Sequence, residues 1–204
     1  MSHYFTFSII GTHIKNAENE INIMKEIEQY KNSNLNYGTI EQEIFNWNIS
    51  HGILAIYSLN AALESIVALL NDKLNLNIDS HAKGAFYKRI EKLKKIQIIT
   101  DDLSYKRCKE IRNYRNTITH WEENKSELLG SMSYLVFMFH NMHPSNENEK
   151  LIHVLNKEDL SNYLCSFNKL VNNIIGSKSI QNNNGLKTFF ELVRKGKLSF
   201  EVVI

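Results

Sequence analysis

LSYKRCKEIRNYRNTITHW, the nineteen residues from Leu103 to Trp121, carries the pattern from which the rest of the chain can be understood. On a wheel at about 100° per residue, Leu103, Ile111, Tyr114, Ile118 and Trp121 gather on one side. Cys108, Arg112, Arg115, Asn116, Thr119 and His120 fall on the other, within an arc of roughly 140°. The spacing predicts a helix with one core face and one face bearing two arginines, an amide and a histidine. Thr100 or Asp101 stands where an N-cap is needed. Arginine grips phosphate through a planar fork of donors, and histidine moves protons near neutral pH. Arg115 and His120 are therefore candidate catalytic residues, with the amide of Asn116 directly beside the arginine and a second arginine, Arg112, one turn before it.

Outward from this helix, the sequence is helical almost throughout. Ala82 to Ile96 is amphipathic, with a basic outer face that includes Lys88, Arg89, Lys92 and Lys95. Ile40 to Leu74 keeps a helical apolar pattern for its whole length, which marks the central helix of a bundle; Thr39 is its expected cap and Gly52 a point of bending. His13 to Lys31, Ser126 to His140, Lys157 to Ile175 and Leu186 to Lys195 complete the predicted helices. Tyr4 to Ile10 and Leu198 to Ile204 alternate as short strands and are expected to pair. Asn32 to Gly38, Asn71 to Ser80, Asn141 to Glu149 and Gly176 to Gly185 are predicted connections, the last a flexible linker. The expected fold class is all-α, a helical bundle with short terminal β-strands. Residues 1–38 form an N-terminal strand and helix, 39–175 the bundle, and 176–204 a C-terminal linker, helix and strand, all within one compact domain.

With 204 residues, 43% of them apolar and 23% charged, the chain has the composition of a soluble globular protein with a full core. A net charge of +2 argues against a generally basic nucleic-acid coat, so any affinity for RNA must be local. The two cysteines, Cys108 and Cys165, suit neither a disulfide scaffold nor a metal cluster and point to a reducing cytoplasm. The N-terminus lacks the basic and apolar regions of a secretion signal. The longest continuous apolar stretch, Tyr134 to Phe139, is far shorter than a membrane span, so no membrane partner is expected. His140, His143 and His153 lie near one another in sequence without a Cys or carboxylate to complete a metal set. No metal and no cofactor is expected.

Arg115 and His120 sit at opposite edges of the polar arc, too far around one helix to grip a single phosphate together. If that face meets its own copy across a two-fold axis, the arginine of one protomer approaches the histidine of the other. A homodimer with a composite active site is the geometric expectation.

The order Arg115-Asn116-x3-His120, preceded by Arg112 within CKEIRNYRNTITH, resembles the HEPN superfamily, all-helical proteins with many RNA-cleaving members. ALESIVALL (Ala62 to Leu70) resembles that family's packing helix, and the likeness spans roughly Thr39 to Cys165. The resemblance implies a metal-independent endoribonuclease of the toxin–antitoxin or antiviral-defence type, with RNA as substrate and an antitoxin or defence-system component as partner. It implies attack of the 2′-hydroxyl on the adjacent phosphodiester, with His120 as general base or acid, Arg115 stabilising phosphoryl charge and Asn116 orienting the histidine or the phosphate. Arg112 would be a second phosphate contact. Lys88, Arg89 and Lys92 would bind substrate, or be an ordinary solvated helix face. Thr119 would support the motif. Glu64 would hold one of its arginines, or form an ordinary interhelical ion pair. Toxins silenced by tyrosine modification carry that tyrosine two residues after the histidine; here the position is Glu122, so that route is not expected. Two other readings stand beside the enzyme: a non-catalytic helical dimer that binds RNA or protein, and nucleotide binding by the same cleft.

Overall fold

The computed structural model describes residues 3–7, 9–33, 39–79, 81–119, 155–195 and 199–203, with side chains throughout except at 3–7, 27–46 and 199–203. The predicted helix Ser126 to His140, the loop Asn141 to Glu149, the three histidines weighed as metal ligands, and His120, Trp121 and Glu122 lie outside the described residues.

The described fold is all-α, closed at its ends by one two-stranded ribbon. Strand β1 (His3–Phe7) leads into α1 (Ile9–Ser33), α2 (Thr39–Lys73), α3 (Ala85–Lys95), α4 (Asp102–Thr119), α5 (Lys157–Gly176), the short α6 (Lys178–Gln181), α7 (Asn184–Arg194) and β2 (Ser199–Val203). The strands pair antiparallel, His3 opposite Val203 and Phe7 opposite Ser199. The first strand ends sooner than its alternation suggests, because Ile9 and Ile10 open α1. Ile10, Ile14, Ala17, Ile21 and Met24 are all buried, and that spacing of four and three is a helix stripe.

α2 runs through Gly52 as one helix of 35 residues. Gly52 serves close packing: a Cβ there would meet Leu155 Cδ2 at 3.1 Å. By length and composition alone, Trp47–Lys73 would suffice to cross a membrane. In the fold Ala55, Ile56, Leu59, Ala62, Leu63, Ile66, Val67 and Leu70 are the centre of the core, which accounts for their apolar character. Around them pack α1, the end of α3, α4 and α5, with Phe167 and Phe190 wholly enclosed.

Residues 176–185 do not form the predicted linker. Ser177 is buried and its hydroxyl donates to Ile174 O at 2.8 Å, α6 places Ile180 in the core with no exposure, and Asn183 caps α7 by accepting from Leu186 N at 3.1 Å. One apolar anchor and two polar caps order a segment whose composition is that of a flexible chain. The same hydrophobic cluster includes residues of α1, α2, α4, α5, α6 and α7.

Candidate functional site

α4 carries the motif, and its first turn is fixed by Asp101. That carboxylate accepts from Ser104 N at 3.0 Å and from the Ser104 hydroxyl, bonds that hold the Asp101 carboxyl below its ordinary range. The buried stripe of α4 is Ser104, Cys108 and Ile111, at spacings of four and three. Two assignments from the wheel are thereby corrected. Leu103, expected in the core, is 49% exposed, and Cys108, expected on the polar face, has no exposure. The apolar weight of Leu103 and Trp121 drew the predicted core face away from the small residues that pack against neighbouring helices. Burial pushes the Cys108 thiol up to about 12.

The other side of α4 is stitched to α5. Arg107 donates through Nη1 to Asn162 O at 2.9 Å and to Ser166 Oγ at 2.7 Å. Tyr163 donates to Glu110 Oε2 at 2.9 Å, and its ring meets Tyr114 edge-on at 5.9 Å between centroids. Burial, first, and then hydrogen bonding to the Tyr114 hydroxyl at 3.4 Å and to Glu110 push the Tyr163 hydroxyl strongly upward.

Of the motif residues, Arg112 crosses to α2. Its Nη1 donates to Glu64 Oε1, and its guanidinium lies 5.4 Å from the Phe86 ring centroid. The structure thus supplies the interhelical arginine contact expected of Glu64, and the arginine is Arg112. Arg115 turns to its neighbour: Nη1 donates to Asn116 Oδ1 at 3.3 Å. It pairs with no acidic side chain among the described residues. The Thr119 hydroxyl donates to Arg115 O at 2.9 Å and lies 3.0 Å from Tyr57 Oη on α2. Thr119 thus closes the last described turn and ties it to the central helix.

Glu64, Arg89, Arg112 and Asn116 line one cleft of about 470 Å³ between α2, the start of α3 and α4, with Phe86 and Tyr87 as its aromatic wall. That volume lies within the roughly 300–1,000 Å³ of ordinary ligand pockets. Arg115 and Thr119 are not among its lining residues. Arg89, expected on the outer basic face, instead donates through Nη2 to Ile78 O at 3.1 Å and anchors the α2–α3 connection. Its Nε is buried without a hydrogen-bond partner.

Lys88, Lys92 and Lys95 remain on the outside of α3, lining an adjoining groove with Ile78, Tyr87 and Glu91, whose carboxylate is held by Tyr105 and Lys109. Tyr87 is common to cleft and groove. Its hydroxyl donates to Asn113 Oδ1 at 2.5 Å. Burial raises its pKa and the nearby Arg112 charge works against that rise. Sequence reasoning passed over Tyr87 and Phe86; the signal was an aromatic pair at the start of a lysine-rich helix, AFYKRIEKLKK.

The cations divide into two groups. Lys94 pairs with Asp102 at 2.6 Å, Lys109 with Glu91 at 3.6 Å, and Arg112 with Glu64. Tyr105 donates to the same Glu91, a bond that is the first cause of its lowered carboxyl pKa. The Lys94, Lys109 and Tyr105 contacts join α3 to α4, and the Arg112 pair joins α4 to α2. Lys88, Lys92, Lys95 and Arg115 have no acidic partner among the described residues, so their charge is available to a ligand. Comparison of the chain with protein-family models, curated proteins and solved structures gives no match.

Proposed function

We propose that the chain is a HEPN-like endoribonuclease that cleaves RNA without a metal by attack of the ribose 2′-hydroxyl, acting as a toxin or defence protein in the cytoplasm. The observation that carries this reading is the polar face of α4. Arg112, Arg115 and Asn116 lie together on one helix, Arg112 and Asn116 open onto a cleft, and Arg115 is unpaired by acid among the described residues. His120 follows immediately after the last described residue of that helix.

In the proposed reaction the 2′-oxygen forms a bond to phosphorus as the bond to the 5′-oxygen breaks. One proton leaves the 2′-hydroxyl and one is delivered to the departing 5′-oxygen, which leaves a cyclic phosphate and a free 5′-hydroxyl. His120 carries one of these transfers, and in a two-fold dimer the partner's copy carries the other. Arg115 faces the phosphoryl oxygens, where charge develops. The requirement for a 2′-hydroxyl restricts the substrate to RNA.

The test is RNA cleavage in EDTA by the wild type, His120→Ala and Arg115→Ala, each shown to be folded and dimeric by light scattering. Cleavage by the wild type alone, with cyclic phosphate ends, is the expected result. Equal inactivity of all three on varied RNAs, or activity that survives both substitutions, would leave the chain a helical RNA- or protein-binding dimer.

A further inference from the structure

The unpaired lysines of α3 and the cleft beside the motif are joined by one side chain, Tyr87. Lys88, Lys92 and Lys95 recur at spacings of four and three, so they line one edge of α3, and all three are exposed. Such a row matches the spaced charges of a nucleic-acid backbone. It leads to a pocket whose walls carry both hydrogen-bonding and aromatic groups. Asn116 offers an amide group suited to a base edge, while the Glu64 carboxylate is already engaged by Arg112. The face of Phe86 is already occupied by Arg112 at 5.4 Å. Tyr87 also has a cation over its ring, Lys109 Nζ at the longer distance of 6.0 Å from the centroid, and it is the ring common to cleft and groove.

We propose that α3 is a track for single-stranded RNA: Lys88, Lys92 and Lys95 hold successive phosphates, Tyr87 stacks on a base, and that unpaired base enters the cleft lined by Glu64, Arg89 and Asn116. The choice of RNA as the ligand rests on the ribonuclease reading. The preference for an unpaired strand comes from the cleft itself. A base within a duplex presents no free face to Tyr87, and the deep, narrow major groove of A-form RNA keeps side chains from the base edges on that side. A row of cations alone would not distinguish the two forms, because phosphate contacts carry no such information.

The experiment measures binding of the full chain to a fluorescently labelled 2′-O-methyl RNA, which cannot be cut by 2′-hydroxyl attack. The same strand is presented alone and annealed to its complement, across a range of salt. The single strand is expected to bind at least tenfold more tightly than the duplex. K88Q/K92Q/K95Q is expected to flatten the salt dependence by about 2 logarithmic units per decade, from about 0.7 per lost phosphate contact. Tyr87→Ala is expected to lower affinity about tenfold with the salt slope unchanged, as loss of one stacked base does. Tyr87→Phe keeps the ring while losing the bond to Asn113, and is expected to bind as wild type, which separates stacking from a structural role of the hydroxyl. Equal affinity for duplex and single strand, a Tyr87→Ala variant with wild-type affinity, or equally tight binding of poly-glutamate each overturns the proposal, the last in favour of an acidic protein partner. Because the probe is uncleavable, intact binding with no cleavage of ordinary RNA strikes the catalytic reading and leaves the track standing. Cleavage with no preference for the single strand does the reverse.

Discussion

Glu64→Gln tests whether Arg112 is a phosphate contact or a fixed strut between α2 and α4. The glutamine keeps an oxygen for the Arg112 Nη1 donor and removes only the charge. The Glu64 side chain is 41% exposed and that of Arg112 20%, so the pair is screened by water and belongs to the class that contributes about 0–1 kcal/mol. The substitution is expected to reduce stability by about 0.5 kcal/mol, a fall in melting temperature of about 1–2 °C for a chain of this size. Binding should move in the opposite direction. A carboxylate beside an approaching phosphate opposes it by about 0.5–1 kcal/mol at solvent-like dielectric, so its removal is expected to tighten RNA binding roughly two- to fivefold. If Arg112 then engages a phosphate fully, the salt slope steepens by about 0.7. Thermal melts and anisotropy titrations on uncleavable RNA at several salt concentrations measure both quantities. Weaker binding by the variant, or a stability loss above about 3 kcal/mol of the kind that follows breaking a buried pair, would refute the argument. Either result would make the Glu64–Arg112 pair a structural strut.

Three further outcomes follow from the packing around α4. Asp101→Ala is expected to destabilise the chain by about 1 kcal/mol near neutral pH, as loss of an N-cap does. Because the folded carboxyl titrates below its ordinary value of 3.8, the wild-type contribution is complete above that value and is lost as pH falls through the lower folded pKa, so in chemical denaturation the two proteins should converge in strong acid. Phe167, with no exposure in the middle of α5, is expected to cost about 3–5 kcal/mol on truncation to alanine, read as a lower denaturant midpoint. In the folded protein a thiol reagent such as DTNB should label Cys165, which is exposed, and leave Cys108, which is buried with its thiol pushed up to about 12; denaturation should release the second equivalent.

The helices were legible because apolar residues recur at helical spacing over long stretches, and α2 most of all, since nearly every turn of Ala55 to Leu70 faces the core. The cap on α4 was legible as Thr100 or Asp101, since an N-cap is drawn from a few short polar residues, and the fold selects Asp101. The pairing of the termini was legible from alternation at both ends of the chain. Beyond those strands and the Glu64–arginine contact, side-chain contacts between distant helices were not. Arg89 reads as one more cation on a basic helix, and only the fold brings Ile78 O within 3.1 Å of it. Residues 176–185 read as a linker because Ser, Asn and Gln dominate them, whereas order there depends on Ile180, Ser177 and Asn183.

The misassigned face of α4 has a consequence for the site. Had Leu103 been the packing residue, α4 would present a different side to α2. Instead Ser104 and Cys108, both small, and Ile111 form the buried stripe. Small side chains let helix axes approach closely. Arg112 follows Ile111 by one residue and so stands about 100° around the helix from it, at the border of the contact. From that border it reaches Glu64 and Phe86 at once. Asn116, one turn later, opens onto the same cleft. Enlarging the stripe, as in Ser104→Leu, would drive α4 away from its neighbours and is expected to separate Arg112 from Glu64 before it unfolds the bundle. The residues that give α4 its close fit are therefore also those that set the position of its polar face.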